Sequence, residues 1–380
     1  MQGDLRLFQE NIGYVMSDTN FYTLRIADVQ PETDTAIRVT FDVPDELKET
    51  FNFIQGQFLT LRTRIEGEEV RRSYSICSGV NDGHMRVGIK RVKNGVFSNF
   101  ANDHFKRGME IDVMPPQGNF HTPLDPGNAK RYMCIAAGSG ITPILSIIKS
   151  VLDMEPESRV TLIYGNRRSN SVMFKDELSF VKNRHLDRFQ WINIMNYEDQ
   201  GADLLNGIID NRKGYALQKS GLIDIRNTDE AFICGPEAMM AEVSHGFRLE
   251  GLSNEQIHYE LFANSAADSR KMLEKAQQRI AEYGEEKTSK VTVVADGRSV
   301  MFDLATVGEN ILDAGIANGM DLPYSCKAGV CSTCKCKLVV GEVDMDVTHG
   351  LEKHEIEAGY VLSCQAHPLS DEVTLDFDQR

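Results

Sequence analysis

Residues 326 to 336 read CKAGVCSTCKC, four cysteines in eleven positions of a chain that has only four more elsewhere. Cys326, Cys331 and Cys334 are spaced C-x4-C-x2-C, and Cys364 follows at a distance. That is the spacing by which four thiolates hold a [2Fe–2S] cluster. The residues between them, Lys327-Ala328-Gly329-Val330 and Ser332-Thr333, are few and mostly small, which lets backbone N–H groups turn inward on the cluster sulfides. Zinc is the rival, but it usually draws its ligands from two C-x2-C pairs, and one such pair exists here. Cys336 has no partner in the pattern and reads as a strand residue.

Composition sets the frame for this segment. A chain of 380 residues exceeds what one hydrophobic core covers, so two or three domains are expected. No apolar run reaches the roughly 20 residues of a membrane span, and the start, MQGDLRLFQENIGY, has charges where a signal peptide would be apolar. The expected compartment is the cytoplasm. Thiols stay reduced there, so clustered cysteines bind metal or do redox chemistry. A net charge of −15 argues against nucleic acid or an anionic membrane as the main partner. From 289 to 380, fifteen acidic residues stand against seven basic ones, which marks the cysteine-bearing quarter as a separate unit.

Just before that unit, residues 263–288 (ANSAADSRKMLEKAQQRIAEYGEEKT) are polar or small and read as a linker. Met272, Leu273, Ala276, Ile280 and Tyr283 fall at helical spacing, which predicts a partly helical linker packing one stripe on a neighbour. Residues 1–19 are an extension without a clear pattern. Residues 20–125 alternate apolar and polar positions in short runs (TLRIADV, AIRVTFDV, GQFLTLR, RSYSICS, HMRVGIKRV, MEIDVMP), the pattern of an antiparallel β-barrel or sandwich. Residues 126–262 alternate strand and helix patterns (RYMCIAAG, TPILSIIKSVLDM, RVTLIYGN, MFKDELSFVKN, QWINIMN, EAFICG, PEAMMAEVSHGFRLEG), which predicts a parallel sheet with helices on both faces.

Two glycine turns follow strands of that sheet, Gly138-Ser139-Gly140-Ile141-Thr142-Pro143 and Cys234-Gly235-Pro236. A glycine turn between strand and helix lets N–H groups approach a phosphate. Strands of a parallel sheet present their carboxyl ends to one crevice, so both turns should face it. In the barrel segment, Arg72-Ser73-Tyr74-Ser75 sends Arg72 and Tyr74 to one side of a strand and Ser75 to the other. A guanidinium suits a pyrophosphate and a tyrosine ring suits a flat cofactor. Gly95-Val96-Phe97-Ser98-Asn99 reads as another phosphate-holding turn.

RSYS, GVFS, PPQGNF, GSGITP, CGP and YELF occur in the order and spacing of the ferredoxin-NADP reductase superfamily, which residues 20–262 resemble. Residues 289–380, with PYSCKAGVCSTCK and VLSCQAHPL, resemble plant-type ferredoxins of the α+β, β-grasp kind. The resemblance implies FAD on the barrel and NAD(P)H on the α/β domain. It places Arg72 on the pyrophosphate, Tyr74 on the ring, Ser75 near flavin N5 and Ser98 on the FAD phosphates, with Lys90, Gly95 and Val96 among the cofactor contacts. It further implies Gly138, Gly140, Gly235 and Pro236 around the dinucleotide and Thr142 near the nicotinamide. The resemblance also sets Cys234 beside the hydride path and Glu260 and the aromatic Phe262 by the flavin. Cys77 and Cys134 are expected in the core.

A nicotinamide gives two electrons as a hydride, an oxygen-activating iron centre takes them singly, and flavin mediates between the two. The order flavin, nicotinamide, ferredoxin and the tail from 335 to 377 most resemble the reductase components of phenylacetyl-CoA epoxidases, which are multicomponent di-iron monooxygenases of aromatic catabolism. Other oxygenase reductases, a reductase of a hybrid-cluster protein and a redox-sensing electron-storage module are the alternatives. After VTLIYG comes Asn166-Arg167-Arg168-Ser169 with no acid, which favours NADPH over NADH, Arg167 and Arg168 meeting the 2′-phosphate. Asp344, Asp346, Glu352 and Glu355 would form either a docking face for the partner or a solubility surface.

Replacing Cys364 by Ser should abolish the cluster's visible absorption, since a hydroxyl is a much poorer soft-iron ligand than a thiolate. Reduction of ferricyanide by NADPH should continue and reduction of cytochrome c should stop. Cys336→Ser should leave iron content and both activities unchanged. The reverse pattern of iron loss would overturn the ligand assignment.

Overall fold

The computed structural model describes residues 20–262, 266–284 and 287–379, so the expected extension 1–19 lies outside the described residues. The alternating runs of the first unit become β1 (Tyr22–Thr33), β2 (Ala36–Asp42), β3 (Phe58–Ile65), β4 (Glu68–Ser75), β5 (Met85–Lys90) and β6 (Glu110–Gln117), with α1 (Val96–His104) before β6. The strands join in the order β4-β3-β6-β1-β2-β5, and every pairing is antiparallel. Alternate residues such as Leu24, Ile26, Leu59, Leu61, Val87 and Ile89 form the core. The segment VFSNF, read as a turn, is the start of α1, and its buried Phe97 and Ala101 sit one helical turn apart against that core.

The second unit runs β7 (Arg131–Ala137), α2 (Ile141–Met154), β8 (Arg159–Asn166), α3 (Lys175–Arg184), β9 (Phe189–Met195), α4 (Asn211–Lys219), β10 (Glu230–Cys234), α5 (Glu237–Leu249) and β11 (Ile257–Glu260). Its sheet, in the order β11-β10-β7-β8-β9, is wholly parallel. Tyr132, Cys134 and Ala136 pack with α2 and α3 on one face, and Met133 and Ile135 pack with α4 and α5 on the other. The strand order reverses between β7 and β10, and a crevice opens there at the strands' carboxyl ends. Cys77 and Cys134 are core residues, 2% and 0% exposed.

The third unit holds β12 (Thr288–Ala295), β13 (Arg298–Ala305), α7 (Ile311–Ala317), β14 (Lys335–Val340), β15 (Val343–Met345), α8 (Lys353–Glu357), β16 (Tyr360–Leu362), β17 (Ala366–Pro368) and β18 (Glu372–Asp376), numbered with α6 (Ala266–Tyr283) preceding it. A mixed sheet β13-β12-β18-β14-β16 carries α7, and β15 pairs with β17 as a ribbon. Cys336 lies on β14, fully buried, as its strand reading expected.

The linker helix exists, and of its expected stripe Met272, Ala276 and Tyr283 are half-buried, but its buried anchor is a charge. Leu273 and Ile280 are exposed, 65% and 36%. Arg279, only 4% exposed, places one guanidinium nitrogen 2.5 Å from Asp344 and 2.9 Å from Asp346, and Lys275 reaches Asp344 at 2.9 Å and the Met345 carbonyl. His367 closes the group on Asp346 at 3.1 Å. Burial would raise the Asp346 pKa, but hydrogen bonds from His367 and Arg279 outweigh it and hold the carboxyl below its ordinary range.

The same contacts engage the acids considered for a docking face. Asp344 and Asp346 are engaged by α6. Glu355, 5% exposed, pairs with Lys335 at 2.6 Å and forms with Glu352 the reciprocal cap of α8. Each of the four thus has a partner within the fold, and Glu352 remains exposed.

Removing one partner of a buried ion pair strands the other charges, so Arg279→Met should cost about 3 kcal/mol of stability of the ferredoxin unit. Urea unfolding followed by cluster absorption measures it. The pair's contribution is present above the unfolded pKa of Asp346 and is lost as pH falls through its depressed folded pKa. The gap between parent and variant should therefore close in acid.

Candidate redox centre: dinucleotide crevice and cluster loop

The crevice is built by backbone proximity. Gly138 sits at φ +55°, in the left-handed region that favours glycine. A Cβ on Gly140 would come 2.1 Å from the Cys234 carbonyl oxygen, so the two glycine turns can meet only without a side chain there. The buried Tyr164 hydroxyl donates to the Gly138 carbonyl at 2.9 Å and fixes the first turn from the neighbouring strand. A cavity of ≈ 610 Å³ borders the third unit, and a second of ≈ 580 Å³ covers the turns. Gly138, Gly140, Arg167, Gly235 and Pro236 line the second cavity, and Lys90 and Phe262, expected with the flavin contacts, line it as well. The Lys90 ammonium is shifted below its usual pKa by burial and by the Arg167 charge, so two cations face one space.

Three expected residues do not line that space. Thr142 is 2% exposed, donates to the Ser139 carbonyl at 3.0 Å and packs where a Cβ on Gly88 would lie 2.8 Å from its methyl, which wedges it between the barrel and the α/β unit. Arg168 is exposed, and its backbone closes a turn with Ser171. Cys234 is fully buried beneath the turn. Tyr164, Asn166, Ile208 and Asp210 were missed, because nothing separates them from ordinary strand-end and loop residues until the strand order brings them together.

Cys234 and Glu260 are opposite neighbours on β10 and β11, and the Ser75 hydroxyl donates to the Glu260 carboxylate at 3.2 Å from the barrel. The chain therefore gathers all three residues marked for catalysis at one junction. Glu260 is half-buried and also lines the first cavity. Desolvation pushes its pKa up to about 8 despite the Ser75 hydrogen bond. Burial and the nearby Glu260 push the Cys234 thiol far up, so it is neutral.

On β4 the Arg72 guanidinium is exposed and donates to the Arg71 carbonyl at 2.7 Å, and the Tyr74 ring packs tilted on Phe97, centroids 5.7 Å apart. The start of α1, at Gly95 and Val96, has neither a capping side chain nor an acid in its first turn, and the same holds for α2. By contrast, α4 and α7 are capped by Asp210 and Asn310. Open N–H groups at a helix start suit an anion. Ser98 is buried and its hydroxyl accepts the Val92 N–H at 3.1 Å, bracing that turn. These features fit a dinucleotide on the barrel and another on the sheet.

In the third unit, Lys327, Gly329 and Ser332 all have φ between +51° and +70°, which curls the loop around its cysteines. The Ala328 N–H donates to Cys326 Sγ at 3.2 Å and the Cys326 N–H to Cys331 Sγ at 3.5 Å. The Cys331 thiol and the N–H groups of Ala328, Val330 and Cys331 push the Cys326 pKa down to about 6, although burial opposes them. The neighbouring Cys364 thiol and burial push the Cys334 pKa up. The four thiols thus lie as two pairs. Among the described residues no three His, Cys, Asp or Glu side chains converge as a single ion requires. Two pairs suit two irons better than one zinc.

Residues 24–122 match the oxidoreductase FAD-binding domain, residues 134–245 the oxidoreductase NAD-binding domain and residues 293–369 the 2Fe-2S iron-sulfur cluster binding domain. One of the subunits of 1,2-phenylacetyl-CoA epoxidase from Escherichia coli K12 is 44% identical over 362 residues, covering 95% of this chain and 99% of its own. The chain belongs to the ferredoxin-NADP reductase superfamily, in the branch with a C-terminal [2Fe–2S] domain. The ferredoxin reductase component of Mycobacterium tuberculosis 3-ketosteroid-9-alpha-monooxygenase is 34% identical over 94% of this chain and 96% of its own. The solved phthalate dioxygenase reductase shares the fold, with a TM-score of 0.58 over 94% of this chain and 98% of that one at 22% identity. This reductase is thus an oxidoreductase with FAD-, pyridine-nucleotide- and [2Fe–2S]-binding domains in one chain, similar along nearly its whole length to reductase components of oxygenases. No helix among its described residues is long and apolar enough to cross a membrane.

The raised pKa of Glu260 has a stability consequence with a definite sign. Between the unfolded carboxylate pKa and about 8 the native state holds a proton that the unfolded state has lost, so stability falls as pH rises through that window. Glu260→Gln, which cannot ionise, should be more stable than the parent at pH 9 and equal to it near pH 4, by thermal or urea unfolding. A pH-independent difference would contradict the raised pKa.

Proposed function

We propose that this reductase draws electrons from NADPH and delivers them singly to the oxygenase component of a phenylacetyl-CoA epoxidase-type di-iron monooxygenase. The observation that carries the partner is the 44% identity with the epoxidase component across 95% of the chain, against 34% for the steroid monooxygenase component. FAD, when bound, accepts the hydride's two electrons together and releases them one at a time, and the cluster relays each. Arg72 and the open start of α1 at Gly95 and Val96 hold the FAD phosphates, with Ser98 bracing that turn. Tyr74 gives the ring its apolar wall. Cys326, Cys331, Cys334 and Cys364 hold the irons.

Ser75, Glu260 and Cys234 act at the junction of the units. The neutral Glu260 carboxyl keeps a proton at hydrogen-bond range of Ser75 Oγ, and the neutral Cys234 thiol keeps its side of the junction dry without adding charge. Gly138, Gly140, Gly235, Pro236 and Phe262 shape the nicotinamide dinucleotide site. Support for NADPH comes from Arg167 and Lys90, which face the same cavity, while the carboxylate of Glu198 is engaged by the Ser169 N–H at 2.7 Å. Thr142 and Arg168 then act through the packing of the units and the shape of the turn.

Arg167→Ala should raise the KM for NADPH about tenfold or more and leave that for NADH within about twofold, the loss of a charge-assisted contact. Arg168→Ala should do much less. Equal effects on both nucleotides would remove the assignment. For the partner, purified oxygenase components compared as acceptors should favour the arylacetyl-CoA epoxidase over a ring-hydroxylating oxygenase, and a reversed preference would overturn it.

A further inference from the structure

Strand β4 has two faces, and Arg72 and Tyr74, the residues placed on the FAD pyrophosphate and ring, share one of them. Arg71, Ser73 and Ser75 leave the strand on the side opposite Arg72 and Tyr74, by the two-residue period of a strand. Each of the three reaches another unit. Ser75 meets Glu260 of the α/β unit. Ser73 Oγ lies 2.6 Å from Ser325 Oγ of the cluster loop, and the Arg71 guanidinium lies 4.1 Å over the Tyr324 ring while pairing with Glu69. At the end of β6, Gln117 Oε1 accepts the Thr333 hydroxyl at 3.3 Å.

The contacts to the cluster loop join residues more than two hundred positions apart and are mostly buried. Arg71, Gln117, Ser325 and Thr333 are all at most 9% exposed. Ser325 precedes Cys326 and Thr333 precedes Cys334, so each hydroxyl bond grips the peptide neighbour of a cluster ligand. Buried polar groups satisfied across an interface set its register, because any slip leaves them unpaired.

We propose that Ser73, with Ser325, and Gln117, with Thr333, are positioning residues that fix the cluster loop against the back of the FAD strand, so that β4 is the shared beam between the two cofactors. The inference rests on the reading that the barrel holds FAD and the four cysteines hold the cluster. Arg71 under Tyr324 seats the loop, and the Ser73–Ser325 and Gln117–Thr333 bonds set its position along and across the strand. The loop's far edge stays open, since Cys326 is half-buried and Lys327 is exposed beside Asp313.

The test uses the holoprotein with Ser73→Ala, Ser325→Ala and the double variant. Stopped-flow absorbance follows flavin reduction by NADPH, and freeze-quench electron paramagnetic resonance follows cluster reduction. Flavin reduction should stay within about twofold of the parent. Cluster reduction should slow by about fivefold in each single variant and by no more in the double, because both remove one shared contact. The midpoint potential and lineshape of the cluster should not move, which separates positioning from damage to the cluster. Independently of activity, oxidised Ser73→Cys/Ser325→Cys protein should yield a peptide disulfide between positions 73 and 325 by mass spectrometry. Additive slowing, unchanged cluster reduction or no cross-link would each overturn the proposal. Absence of flavin or of [2Fe–2S] absorption from the parent would instead overturn the reading on which it rests.

Discussion

The two-residue period of one strand organises the molecule. Because successive side chains of β4 point to opposite faces, Arg72 and Tyr74 can serve one ligand while Arg71, Ser73 and Ser75 bind the cluster loop and the α/β unit. A one-residue slip of β4 against β3 would exchange the two sets and break the contacts that β4 makes with both other units. The core residues of the barrel hold that register, so hydrophobic burial far from the chemistry places the polar contacts that matter.

A second constraint is how closely backbone can approach backbone. Gly140 lets two strand-to-helix turns touch, and Tyr164 ties the left-handed Gly138 from the next strand. The result is a crevice whose walls are peptide groups and helix starts, with Lys90 and Arg167 supplying charge. Alongside it, burial sets protonation. Glu260 and Cys234 are neutral near pH 7 because burial penalises their charged forms more than the one hydrogen bond from Ser75 can offset.

Charge has a different use in the last quarter of the chain. Its acidity reads as a surface property, yet Asp344 and Asp346 clamp Arg279 and Lys275 of α6, and Glu355 binds Lys335. The helix that follows the α/β unit is thereby fastened to the ferredoxin unit by ion pairs, while its apolar Leu273 and Ile280 face solvent.

Local signals in the sequence determined a good deal. Strand alternation, the strand–helix rhythm and the C-x4-C-x2-C spacing are carried by near neighbours along the chain, so the barrel, the parallel sheet and the cluster loop were legible from residues alone. Glycines at Gly138, Gly140 and Gly235 were legible too, since a turn that must meet another backbone tolerates little else. Tertiary structure alone decided which of two adjacent arginines faces the crevice, that Thr142 wedges two units, that α1 begins at Val96 and that α6 packs by Arg279. It also decided that Ser73 meets Ser325. Each of these depends on partners distant in sequence, and a side chain's burial, charge state and bonds are set by those partners and not by its neighbours along the chain.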